Sequence, residues 1–82
     1  MPTVSVRLFA GLRQLVGERE IEVQLPTGAT IGQLRDAVGE RYPIVRAFLP
    51  TLVCAVDEEY VPSERVLCDG DRVALIPPVS GG

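Results

Sequence analysis

Apolar and polar residues alternate near both ends of this 82-residue chain, while the middle follows a longer period. Val4, Val6 and Leu8 alternate with Ser5, Arg7 and Phe9, the period-two signature of a strand with one buried face. Ala10–Val16 then carries Leu12, Leu15 and Val16 at helical spacing, and Gly17 stops it after one or two turns. Ile21, Val23 and Leu25 alternate with Glu20, Glu22 and Gln24, a second strand closed by Pro26-Thr27-Gly28. The two strands have room to pair as a hairpin bridged by the short helix.

The central segment changes period. Ile31, Leu34, Ala37, Val38 and Tyr42 recur every three or four residues and mark one face of a helix. Thr30 is its N-cap, and Gln33 completes a capping box. Gly32 and Gly39 each weaken it by roughly 1 kcal/mol relative to alanine. Their missing side chains would let the helix lie close on a sheet. Pro43 ends it, because the residue before a proline disfavours the helical region.

Ile44–Leu49 holds a short helical turn before Pro50. Leu52–Val56 is a near-continuous apolar run, the pattern of a central strand covered on one or both faces. Asp57-Glu58-Glu59 turns into a short edge segment at Tyr60-Val61, ended by Pro62. Asp69-Gly70-Asp71 is a tight turn, Arg72–Ile76 the last strand, and Pro77-Pro78 its stop. This order predicts an α+β fold. A mixed sheet of four to five strands carries one main helix across one face, the helix supplying the crossover that a parallel pair needs. One domain spans residues 1–82, with a flexible tail over 78–82.

Composition narrows the chemistry. Histidine and lysine are both absent, and all eight basic residues are arginines. The commonest general base, the commonest metal ligand and every lysine-based nucleophile are therefore excluded. Cys54 and Cys68 form no CxxC pair and cannot build a zinc site alone; Cys54 sits in an apolar run and reads as buried, Cys68 as more exposed. A net charge of −3 with scattered arginines offers no basic stripe for nucleic acid. No apolar run approaches the roughly 20 residues of a membrane span, and no signal peptide is read, so a cytoplasmic location is expected. The chain is expected to bind no cofactor and to be non-catalytic alone.

Strand parity points to a partner surface. Val73 and Leu75 share one face of the last strand, and Ala74 and Ile76 the other. With the helix covering one face, the opposite face keeps apolar groups uncovered. Phe9, Tyr60 and Ile76 are the candidates there, with Arg13 at the rim. The final six residues, Pro77-Pro78-Val79-Ser80-Gly81-Gly82, suggest a thread with a stiff root and a slim tip. From Pro78 it reaches roughly 13 Å when extended.

Three blocks carry a family resemblance. They are Val6-Arg7-Leu8-Phe9-Ala10 with Leu12-Arg13 and Leu15-Val16-Gly17, then Ala55–Val61, and then Asp69–Gly82 with its Pro-Pro-Val-small-Gly-Gly ending. Together they resemble the small, sulfur-carrying subunits of molybdopterin synthase, a ubiquitin-like β-grasp family related to the thiamine-type sulfur carriers. Asp57 stands where asparagine is frequent, and Leu75-Ile76 where aromatics often occur. The resemblance implies that Gly82, preceded by Gly81, is adenylated at the expense of ATP by an activating enzyme of the ubiquitin-activating type. A persulfide donor then leaves a terminal thiocarboxylate. That group enters the large synthase subunit, within a heterotetramer, and sulfurates cyclic pyranopterin monophosphate. Phe9, Arg13, Tyr60, Ile76, Pro77, Pro78, Val79 and Ser80 are the implied partner contacts. A thiamine-type carrier and a ubiquitin-like modifier joined to lysines are the alternatives that share the Gly-Gly end.

Overall fold

The computed structural model describes residues 1–77; residues 78–82, and with them the expected flexible tail, lie outside the described residues. The elements are β1 (Thr3–Leu8), α1 (Ala10–Val16), β2 (Glu20–Gln24), α2 (Ile31–Arg41), two 3-10 turns at Pro43–Val45 and Leu49–Thr51, β3 (Val53–Val56), β4 (Glu59–Tyr60) and β5 (Arg72–Ile76). They form one five-stranded sheet in the order β2-β1-β5-β3-β4. β1 pairs antiparallel with β2 and parallel with β5, while β3 pairs antiparallel with β5 and β4. The last strand in sequence is thus the middle strand in space. The apolar run at Leu52–Val56 predicted a central strand; β3 instead lies one place out, between β5 and the short β4.

Local chemistry sets each boundary. Gly17 ends α1 in the left-handed region (φ 87°), its N–H donating to the Arg13 carbonyl at 2.8 Å. The capping box of α2 is formed: the Gln33 amide donates to Thr30 Oγ1 (3.3 Å), and the Thr30 amide donates to Gln33 Oε1 (2.9 Å). The next two helix amides are taken by the loop before β5, Ile31 donating to the Arg65 carbonyl and Gly32 to that of Ser63. Asp57 and Glu58, both at positive φ (49° and 71°), make the β3–β4 turn. Gly39 does not serve a close approach to the sheet. A Cβ there would meet Leu49 Cδ1 at 3.0 Å and Arg46 Cγ at 3.3 Å, so it makes room for the segment that follows the helix.

The core lies between one sheet face and α2. Val4, Val6, Leu8, Ile21, Val23, Cys54, Val56, Val73 and Leu75 point inward against Ile31, Leu34 and Val38. Among the described residues no polar or charged side chain is buried. Burial of apolar area is therefore the main force holding helix to sheet. Leu75, 1% exposed in the middle strand, has core on its inner side and paired strands on both flanks. Leu75→Ala should cost about 3 kcal/mol. Thr30→Ala, which removes only the cap, should cost about 1 kcal/mol. Urea unfolding checks both, and equal costs would contradict this ranking of packing over capping.

Candidate functional site

The sheet face away from α2 is open, and the pairing registers assign its rows. Arg7 lies beside Ala74, Ala74 beside Ala55, and Ala55 beside Tyr60, so one row runs Arg7-Ala74-Ala55-Tyr60 across four strands. The next row holds Ile76 beside Val53, with Phe9 just past the end of β1. Two alanines in the middle of the first row leave a hollow between larger neighbours. The result is a shallow depression of about 560 Å³, lined by Arg7, Phe9, Ala55, Tyr60, Ala74 and Ile76, with Asp57, Glu58 and Arg72 at its margin.

Phe9, Tyr60 and Ile76, the three apolar residues selected by strand parity, thus line one hollow. Phe9 is 38% and Tyr60 74% exposed, high values for aromatic side chains, and Val53 beside them is exposed as well. Arg13 is different. It lies exposed on α1 and does not line the depression. Arg7 takes that place: its guanidinium carbon sits 5.6 Å from the centre of the Phe9 ring, a cation–π contact at the hollow's edge. Alternation along β1 already put Arg7 on the open face, but an arginine opposite the buried residues of a strand reads first as a solvated one.

A second, more apolar cleft of about 440 Å³ opens beside the end of β5, between α1 and the 3-10 turns. Leu12, Leu15, Phe48, Leu52 and Pro77 line it, and Leu15 and Phe48 are exposed. Of the tail residues singled out in the sequence, Pro77 therefore lines this cleft and not the hollow. Pro78, Val79, Ser80, Gly81 and Gly82 lie outside the described residues.

The two cysteines fall on either side of the exposure boundary, as their neighbours suggested. Both thiols are free, Cys54 buried and Cys68 exposed. Burial pushes the Cys54 thiol up from its ordinary range, with the Arg35 charge opposing the shift. Among the described residues there is no cluster of three or more potential metal ligands, and no helix is long and apolar enough to cross a membrane.

Residues 6–82 match the ThiS family. A molybdopterin synthase sulfur carrier subunit of Mycobacterium tuberculosis is 38% identical over 84 residues, an alignment that covers all of both chains. Among solved structures, a putative molybdopterin converting factor subunit 1 from Pyrococcus furiosus superposes with a TM-score of 0.88 at 32% identity, covering 96% of this chain and all of that one. A complex of subunits 1 and 2 of the molybdopterin-converting factor from Helicobacter pylori includes a chain similar at 25% identity and a TM-score of 0.71, covering 98% of this chain and 99% of that one. The fold is the ubiquitin-like β-grasp, and the chain belongs to the ThiS family, where its relatives include molybdopterin synthase sulfur carrier subunits.

Proposed function

We propose that this chain is the sulfur-carrying subunit of a molybdopterin synthase and that Gly82 bears the sulfur. The observation that carries the reading is the position of β5. It is the middle strand, hydrogen-bonded on both sides, and the sequence runs on from it through Pro77-Pro78-Val79-Ser80 to Gly81-Gly82. A carrier needs its reactive end held out from a firm base, and a central strand is the part of a sheet least able to fray. The match to sulfur carrier subunits over the whole chain supports the same assignment.

The chemistry divides among partners. A carboxylate is a poor electrophile, so the Gly82 carboxylate attacks the α-phosphorus of ATP on an activating enzyme and pyrophosphate leaves. The outer sulfur of a persulfide attacks the resulting acyl carbon, and AMP leaves with the bonding pair. A thiol then cleaves the sulfur–sulfur bond, giving the Gly82 thiocarboxylate and a disulfide on the donor side. In the large subunit the thiocarboxylate sulfur attacks a side-chain carbon of the pterin precursor, and a carbon–oxygen bond at that carbon breaks, the oxygen leaving with the bonding pair. Water splits the acyl–sulfur bond, leaves sulfur on the pterin and restores the carboxylate. Glycines at 81 and 82 suit narrow active sites because they bring no side chain into the channel. The chain itself supplies no acid, base or metal, and works where its partners work, in the cytoplasm.

The open hollow is the proposed contact with the large subunit, in an assembly of two carriers and two large subunits. The Helicobacter pylori complex supports a partner of that kind. Phe9, Tyr60 and Ile76 are the apolar anchors, with Pro77–Ser80 following the tail into the partner. Arg13 would meet a partner only outside the hollow.

Two outcomes test the reading. With the cognate activating enzyme, ATP–pyrophosphate exchange should proceed with the full chain and vanish when Gly82 is deleted, while the thermal midpoint stays put. Exchange that survives the deletion contradicts the assignment of Gly82. Ile76→Asp places a charge where an apolar contact is expected and should weaken binding to the large subunit by about 3 kcal/mol, more than a hundredfold in Kd. Unchanged affinity by calorimetry, with the variant folded, would rule out this face.

A further inference from the structure

The sheet has two outer strands, and they are finished differently. β4 is two residues long and Pro62 follows soon after it, so it offers a neighbour almost no ladder. β2 runs for five residues, Glu20–Gln24, and pairs only with β1. A free edge of that length is a template for another strand.

Two bonds at the ends of the β1–β2 ladder fix which backbone groups face outward. The Leu8 amide donates to the Arg19 carbonyl at 2.8 Å, and the Leu25 amide to the Pro2 carbonyl at 3.0 Å. Bonded and unbonded pairs alternate along an antiparallel ladder. Val6 with Ile21 and Val4 with Val23 are therefore the bonded pairs between those ends. Glu20, Glu22 and Gln24 belong to the unbonded pairs, and their N–H and C=O groups point away from the sheet.

Arg41, the last residue of α2, reaches this edge. Its Nη1 donates to the Glu22 carbonyl at 2.8 Å, and its guanidinium carbon lies 5.3 Å from the centre of the Tyr42 ring. Tyr42 is itself packed against the core, so the guanidinium is held at the edge from both sides.

The position of that bond matters. An antiparallel second copy can pair with all three outward residues in one register only. Glu22 then stands opposite Glu22 of the second copy, Glu20 opposite Gln24, and Ile21 opposite Val23. A two-fold axis passes through Glu22 in that register. The carbonyl that Arg41 occupies is the one on the axis. The Glu22 side chain is exposed, and two of them directly opposite repel. The edge thus suits its own copy everywhere except at one residue, where both backbone and side chain oppose pairing.

We propose that the outer edge of β2 is a strand-pairing surface for a second copy of this chain, and that Arg41 holds it closed. Removing the guanidinium frees the Glu22 carbonyl and lets two edges join into one continuous sheet. This holds whatever Gly82 carries.

The test is sedimentation velocity on the full chain up to millimolar concentration, with amide hydrogen exchange on the same samples. Arg41→Ala should dimerise roughly tenfold more tightly than wild type, the effect of one hydrogen bond from a charged donor. Adding Glu22→Gln should tighten the dimer again by about threefold, because the like-charge pair is gone. The Glu22 and Gln24 amides should become protected as the dimer forms. Gln24→Pro added to Arg41→Ala should abolish the dimer, since it removes an outward amide and spares the bonds to β1. Arg46→Ala is the control for loosening the end of α2: Arg46 Nε donates to the Gly39 carbonyl at 3.0 Å, within the helix and away from the edge. It should sediment as wild type does. Monomers throughout in both Arg41 variants would overturn the proposal. So would a dimer that survives Gln24→Pro, one that leaves the Glu22 amide unprotected, or equal dimerisation of Arg46→Ala. None of these results touches pyrophosphate exchange at Gly82, which tests the carrier reading by itself.

Discussion

Four residues of β1, from Ser5 to Leu8, lie beside four of β5, from Arg72 to Leu75, in a parallel ladder joining segments more than sixty residues apart. No tight turn can hold such a pair together; the chain must cross over and return. The return depends on the Asp69-Gly70-Asp71 turn. Asp69 Oδ1 accepts the Thr3 amide at 2.8 Å, the Gly70 amide donates to the Thr3 carbonyl at 2.9 Å, and the Ser5 amide donates to the Asp71 carbonyl at 3.0 Å. Asp71 is itself held, its Oδ2 accepting the Cys68 amide at 2.8 Å and lying 3.4 Å from Arg65 Nη1. These bonds set the level at which β5 enters the sheet.

Much else is a consequence of that level. It turns Val73 and Leu75 into the core and Ala74 and Ile76 onto the open face, since a slip of one residue would exchange the two sets. It sets Ala74 between Arg7 and Ala55, which makes the hollow. It also puts the start of the chain and the last described residues at opposite ends of the sheet. The open hollow and the end of the sheet at which β5 finishes come from one pairing.

The sequence made the local features legible and the relations between them less so. Thr30 and Gln33 identified the start of α2 because a capping box is complete within four residues. Alternation in Arg72–Ile76 identified which side chains are buried, because parity needs no knowledge of the neighbours. The strand order was not readable in the same way. The apolar run at Leu52–Val56 read as a central strand and Arg72–Ile76 only as the last one, yet Ala55 is buried on the open face by being small and flanked rather than by an overlying layer. Arg13 was assigned to the rim on its type, but the direction in which α1 leaves β1 decides where it points. Gly39 matched a close approach, and its partner proved to be Leu49 and Arg46, contacts set by the 3-10 turns after Pro43.

The central claim is that Gly82 carries sulfur. Its most direct test is tandem mass spectrometry of the C-terminal peptide, taken from the chain purified out of cells that are making the molybdenum cofactor. The account predicts a population in which one oxygen is replaced by sulfur, with the exchange located on Gly82. A chain bearing only oxygen at Gly82 under those conditions, or sulfur located at Cys54 or Cys68 instead, would contradict it.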